Sequence, residues 1–185
     1  MISVDVPVGD EVLALVKLSR ALQGNAHLPE VGALVWTLLR RIVPCDSMAI
    51  FLPDAMQEHV VIRYSAGAHA NDIYDASRPL SMGLAGWVAT NRYPVLNADP
   101  AIDIGFRAPD LRSCLVAPLI TSDAVIAVIA LYSTASSAFS DDHLRVLALL
   151  GPSLAEALVD AVMADEDTHV PMQRKVATLK LVKSS

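Results

Sequence analysis

The chain has 185 residues, a formal net charge of −6 and 54% apolar residues, of which few are aromatic; this length suits one domain with an aliphatic core and a short tail. So acidic a chain offers no broad basic surface to neutralise phosphates, which argues against nucleic acid as a direct partner. The mean hydropathy of +0.45 is high, yet no stretch reaches the roughly 18–20 uninterrupted apolar residues of a membrane span, and Asp123 breaks the best candidate.

The N-terminal sequence MISVDVPVGDEV carries acid early and lacks a basic region followed by an apolar core, so no signal peptide is expected. Cys45 and Cys114 form neither a CxxC pair nor a disulfide framework, and both sit in apolar company, as small hydrophobes do. These features predict a reduced, cytoplasmic setting.

The first helix is expected from Asp10 to Leu22, where Val12, Leu15, Val16 and Leu22 recur at three- and four-residue steps before Gly24-Asn25. A second should span Pro29 to Ile42, with Pro29 in its first turn, Arg40-Arg41 at its negative end and Pro44 beyond it. SMAIFL (Ser47 to Leu52) and VVIRYSA (Val60 to Ala66) have strand character. Asn71 to Pro79 is polar and predicts a loop. Gly83 and Gly86 suit a tight turn into a short helix carrying Trp87. Val95-Leu96 suggests a short strand, and the segment to Arg112 a loop or a single helical turn.

Ser113 to Tyr132 organises the rest. SCLVAPLI and VIAVIALY are two apolar runs joined by a polar turn, a hairpin signature rich in β-branched residues. A buried helix gives a similar pattern, but Asp123 and the short segments favour strands. Strict alternation sends Val125, Ala127, Ile129 and Leu131 one way and Ile126, Val128, Ala130 and Tyr132 the other. Neither set is polar, so both faces must be covered. Pro118 cannot donate to a ladder and predicts a bulge. A last helix starts at Ser140 as N-cap, with Asp141 and Asp142 in its first turn, and Pro152 should kink it. The expected layout is a tail over residues 1–9, a domain over 10–164, and a basic, unstructured tail over 165–185. Terminal helices would cover one sheet face and the loop-rich middle the other, where a pocket can form.

Three pieces in order resemble the GAF domain family, over roughly Leu28 to Met163. GLAGWVATNRYPV, from Gly83 to Val95, resembles the family's G-x-x-G segment, followed by a short strand and Asp99. SCLVAPLI with VIAVIALY resembles its Ser-x-Leu-x-x-Pro-Leu strand and partner strand, and AFSDDHLRVLALL its entry into the final helix. The resemblance implies an α+β fold: a central antiparallel sheet of five or six strands, terminal helices on one face and a loop-roofed ligand pocket on the other. It further implies a small-molecule sensor or regulatory module that acts through dimerisation in signal transduction, here a homodimer through the terminal helices. A scaffold with an occluded pocket is the alternative.

Enzymatic candidates are thin. SMGLAGW lacks the Lys-Ser/Thr of a phosphate loop. The five histidines have no metal-ligand spacing, and His69 alone is placed where a haem ligand could sit. Within the resembled family, free methionine-(R)-sulfoxide reductases carry cysteines in the central insert; here Gly67 to Arg112 contains none, and Cys114 has no adjacent base. Bilin-attachment and cyclic-nucleotide motifs are also absent. The expectation is a non-enzymatic module without catalytic residues or a metal, with no cofactor named and no membrane partner. Its ligand would be lined by Tyr64, Met82, Trp87, Asp99, Phe106, Arg107 and Ser113. An unpaired, inward Arg107 would call for an anionic ligand group.

Overall fold

The computed structural model describes residues 27–54, 56, 58–73, 77–79, 82–105, 108–122 and 124–168. The expected Asp10–Leu22 helix and the tail beyond Thr168 lie outside these residues. In chain order the elements are α1 (Leu28–Ile42), β1 (Ser47–Pro53), β2 (His59–Gly67), α2 (Ala70–Ile73), β3 (Ser77–Pro79), α3 (Gly83–Asn91), β4 (Val95–Ala98), α4 (Ala101–Ile104), β5 (Ser113–Thr121), β6 (Ala124–Ser133) and α5 (Asp141–Thr168). The polar stretch predicted as a loop before Pro79 thus contains α2 and an edge strand. The last helix runs through Pro152 and on to Thr168, past the expected boundary at residue 164.

All six strands form one sheet in the order β3-β2-β1-β6-β5-β4, with every neighbouring pair antiparallel. The β5–β6 hairpin lies inside it as expected, with β6 between β5 and β1. Pro118 is not the bulge that its chemistry suggested. It stands in register with Val128, and β4 reaches only as far as Val116. Beyond that point β5 has one neighbour, and a missing donor on the free edge is tolerated.

Each sheet face carries its own core. Met48, Ile50, Leu115, Leu119, Ile129 and Leu131 pack under α1 and α5. The α1 stripe Leu28, Val31, Val35, Leu39 meets them at helical spacing. His27 ties the start of α1 to the end of α5 through Nδ1 and the Asp165 carboxylate, 2.6 Å apart. Among the described residues α5 is the one helix long and apolar enough to cross a membrane, but half of its most apolar stretch is buried inside the fold. On the other face Phe51, Ile62, Val116, Val128, Ala130 and Tyr132 pack under Ile73, Val88 and Ile104 from the short helices α2, α3 and α4. Long helices cover one face, and a roof of short pieces covers the other.

Bulges correct the strict alternation in β2 and β6. Ile50 pairs with Tyr64 but Phe51 pairs with Ile62, so Arg63 is the extra residue in β2. Leu119 pairs with Ala127 but Ile120 with Val125, so Ile126 is extra in β6. An extra residue inverts the facing of the strand beyond it. Ile126 therefore joins the α1–α5 core and Val125 the roofed one, opposite to the simple expectation.

Candidate functional site

The site is built where α3 begins. Gly83 takes φ +73°, a backbone region glycine enters freely, and it opens a nine-residue helix. The first amides of any helix lack intrahelical acceptors and favour negative charge. Here Asp103, from α4, supplies that charge. Its Oδ1 accepts from Leu84 N at 2.6 Å, and Ala85 N lies 3.2 Å from both carboxylate oxygens. A Cβ on Gly83 would overlap Oδ1, so the glycine is also what lets the carboxylate approach. Asp103 is 3% exposed and is the one charged side chain fully buried among the described residues. The apparent phosphate cradle is thus filled by the chain's own carboxylate.

The floor beneath α3 is a row of side chains across three strands. Tyr132 stands opposite Cys114, and Cys114 opposite Ala98. The Cys114 thiol donates to the Ala98 carbonyl at 3.4 Å. Burial pushes that thiol up to about 12, with the Asp103 and Asp99 carboxylates adding to the effect. Tyr132 is fully buried, and its phenol is held well above its ordinary value by burial, then by Asp103 and Cys114. The Tyr132 hydroxyl has no hydrogen-bond partner. Asp103 and Tyr132 were not among the residues expected from sequence. Asp103 lies one helical turn beyond the nominated Asp99, and Tyr132 closes an apolar run and reads there as another hydrophobe.

Of the seven nominated residues, Phe106 and Arg107 lie outside the described residues. Met82 and Trp87 flank the glycine turn as expected but are about half exposed, on the outer side of the roof. Asp99 is exposed and caps the start of α4, accepting from Ala101 N at 2.9 Å. Tyr64 and Ser113 are corrections. The Arg63 bulge turns Tyr64 onto the terminal-helix face, where its ring lies against Gly32 of α1. Ser113 shares a face with Leu115, and its hydroxyl donates to Ala135 O at 2.7 Å and accepts from Ala138 N at 3.3 Å. It holds the turn leading into α5.

His69, the residue placed for a haem, has its backbone N–H on the Ser47 hydroxyl at 2.9 Å and its ring 3.4 Å from the same oxygen. No cluster of three potential metal ligands occurs among the described residues. Cys45 packs against the α1–α5 core and Cys114 belongs to the roofed one. A cavity of about 260 Å³ lies on the terminal-helix side, between Ala117 and Pro118 of β5 and Leu147, Gly151 and Pro152 of α5. That departs from the roofed location expected for a pocket. Its origin is local, because Gly151 leaves open space where a side chain would stand, and no titratable group lines it.

Solved structures with this architecture are similar over most of their length. The GAF domain of a phosphoenolpyruvate-protein phosphotransferase from Coxiella burnetii aligns with a TM-score of 0.69 at 18% identity, covering 85% of this chain and 98% of that one. Free methionine-R-sulfoxide reductase from Neisseria meningitidis, in complex with its substrate, gives 0.65 at 17% identity, covering 83% and 91%. The GAF-B domain of DevS from Mycobacterium smegmatis gives 0.59 at 22% identity, covering 74% and 96%. These identities speak to the fold alone. No curated protein matches the chain. The sequence model of the GAF domain matches residues 26–159, and by that match this chain belongs to the GAF domain family.

Proposed function

We propose that this chain is a non-enzymatic regulatory module of a cytoplasmic signalling protein, binding a small ligand beneath the roof of α2, α3 and α4 and working as a homodimer. The unequal covering of the sheet carries this reading. One face is closed by helices of 15 and 28 residues and the other by helices of four and nine. Short pieces joined by loops open at less cost than a long packed helix, and ligand sites draw on such low-stability parts. The reductase activity known from structural neighbours is disfavoured by the thiols. Both are pushed up to about 12, chiefly by burial, and a thiol must ionise to act as a nucleophile.

A scaffold whose roofed face is closed by its own side chains is the second reading, favoured by the zero exposure of Val128, Ala130 and Tyr132. Native mass spectrometry of freshly purified protein separates the two. A retained small mass that denaturation releases supports the sensor. The bare polypeptide mass, with roof amides that exchange at an unchanged rate when a metabolite extract is added, supports the scaffold. The dimer is supported by Leu149 and Met163, which leave α5 with 57% and 61% exposure. Light scattering at roughly tens of micromolar should give twice the monomer mass, and a monomer there would overturn it.

A further inference from the structure

Tyr132 heads the large side chains that are fully buried, yet its hydroxyl bonds to nothing. Buried polar atoms almost always have a partner, and an exception calls for a cause. A phenylalanine would fill the same space without the orphaned group. Water is a poor candidate, because a buried water needs two or more polar partners. The polar groups nearby are already engaged, the Cys114 thiol by Ala98 O and the Asp103 carboxylate by the amides of Leu84 and Ala85. The core to which Tyr132 belongs is otherwise apolar, with Val88, Val116, Val128, Ala130 and Ile104 in the same cluster.

We propose that the roofed face takes an uncharged, largely apolar ligand bearing one hydrogen-bond acceptor, which the Tyr132 hydroxyl recognises. This rests on the reading of that face as the ligand site and narrows it to a chemical class. The polarity is set by what surrounds the hydroxyl. A phenol kept protonated beside a carboxylate donates. Asp103, the one charged side chain buried among the described residues, acts on the phenol electrostatically from close by. The amides of α3 that would have welcomed an anion are already taken by that same carboxylate.

Three probes of matched ring size test this on the full chain: benzamide, benzoate and toluene, tracked through the methyl resonances of Val88, Val116 and Val128. Benzamide should shift these saturably, toluene more weakly, and benzoate not at all. Tyr132→Phe should weaken benzamide about tenfold and leave toluene unchanged. The ligand-free Tyr132→Phe protein should melt no lower than the parent. Benzoate binding as tightly as benzamide would overturn the class and favour the anionic complement expected of Arg107. Undiminished benzamide binding by Tyr132→Phe, or a lower melting temperature for that variant, would remove the hydroxyl from the site while leaving the pocket. If no probe moves any of these methyls, the roofed-face reading fails and this proposal with it.

Discussion

Asn97 holds the peptide of Phe139 with two hydrogen bonds. Its Nδ2 donates to Phe139 O at 2.7 Å, and its Oδ1 accepts from Phe139 N at 2.9 Å. Asn97 is the extra residue where β4 slips against β5, since Leu96 pairs with Leu115 but Ala98 with Cys114. Its φ of +54° is one that asparagine tolerates better than most residues. One residue thus sets a bulge in the edge strand and fixes the approach to α5. Both bonds need the carboxamide, because Phe139 offers one donor and one acceptor. Asn97→Asp should therefore destabilise by about 1–3 kcal/mol, placing an oxygen against a carbonyl. An equilibrium urea titration should show this as a lower midpoint with an unchanged slope. An unshifted midpoint would show that the pair does not matter.

The contact between Gly32 and Tyr64 predicts a coupled pair. A Cβ on Gly32 would overlap the Tyr64 ring, and overpacking costs about 1–3 kcal/mol. Gly32→Ala alone should lose that much in spite of alanine's higher helix propensity. In a Tyr64→Leu background the same change should be neutral or stabilising. Additive costs in the double-mutant cycle would refute close packing between the two.

Tyr64 also shows where sequence reasoning stopped. Every strand except the edge strand β3, together with the two described terminal helices, is legible from apolar patterning, because burial on both faces leaves a continuous hydrophobic run in the central strands. Periodicity carries no mark of a bulge. Arg63 has nothing in its chemistry that announces an unpaired ladder position, and without it Tyr64 would face the roof beside Ile62. Ser113 departs from expectation for a different reason: a hydroxyl at the mouth of a hairpin fits a ligand or a turn equally well. The Asp99 and Asp103 carboxylates are one helical turn apart in sequence, and only the fold distinguishes the exposed cap from the buried partner of α3.

The thiols should be inert in the native state. Burial is the main reason that both stand near 12, with the Asp46 carboxylate next for Cys45 and Asp103 next for Cys114. At pH 8 the reactive thiolate is then a minute fraction. Iodoacetamide should leave both unlabelled over hours and label both at once in denaturant. Rapid native labelling of Cys114, with methionine sulfoxide reduction lost in Cys114→Ser, would restore the enzymatic alternative.

His143 provides a pH dependence with a definite sign. Its Nδ1 accepts from Ser140 N at 3.1 Å at the start of α5, which requires that nitrogen to be unprotonated. Burial lowers its pKa, against an opposing pull from Asp142. A base with a depressed folded pKa contributes stability that is complete above its unfolded value of about 6.5 and is lost as pH falls below it. The melting temperature should decline from pH 7.5 towards 5. His143→Gln keeps an acceptor at the same helix position without titrating, and should flatten that part of the decline. An imidazole titrating above the ordinary value by NMR would reverse the sign and end the argument.

The start of α3 gives the sharpest test of the site's construction. Gly83 and Asp103 form a single device, in which the first supplies both the left-handed backbone and the space, and the second supplies the charge. Gly83→Ala combines a strained φ with overlap on the carboxylate and should cost at least about 2 kcal/mol. Asp103→Ala strips Leu84 and Ala85 of their acceptor and should cost about 2–3 kcal/mol, as loss of charged hydrogen bonds does. Both changes disable the same contact, so the double variant should lose much less than the sum of the two. The hydrogen-exchange consequence is equally specific: the amides of Leu84 and Ala85 should lose protection in each variant, while those of Leu147 and Leu154 in α5 fall only by the global change in stability. Equal losses at both helices would mean that the roof does not open separately from the rest, and a ligand could then enter only through global unfolding.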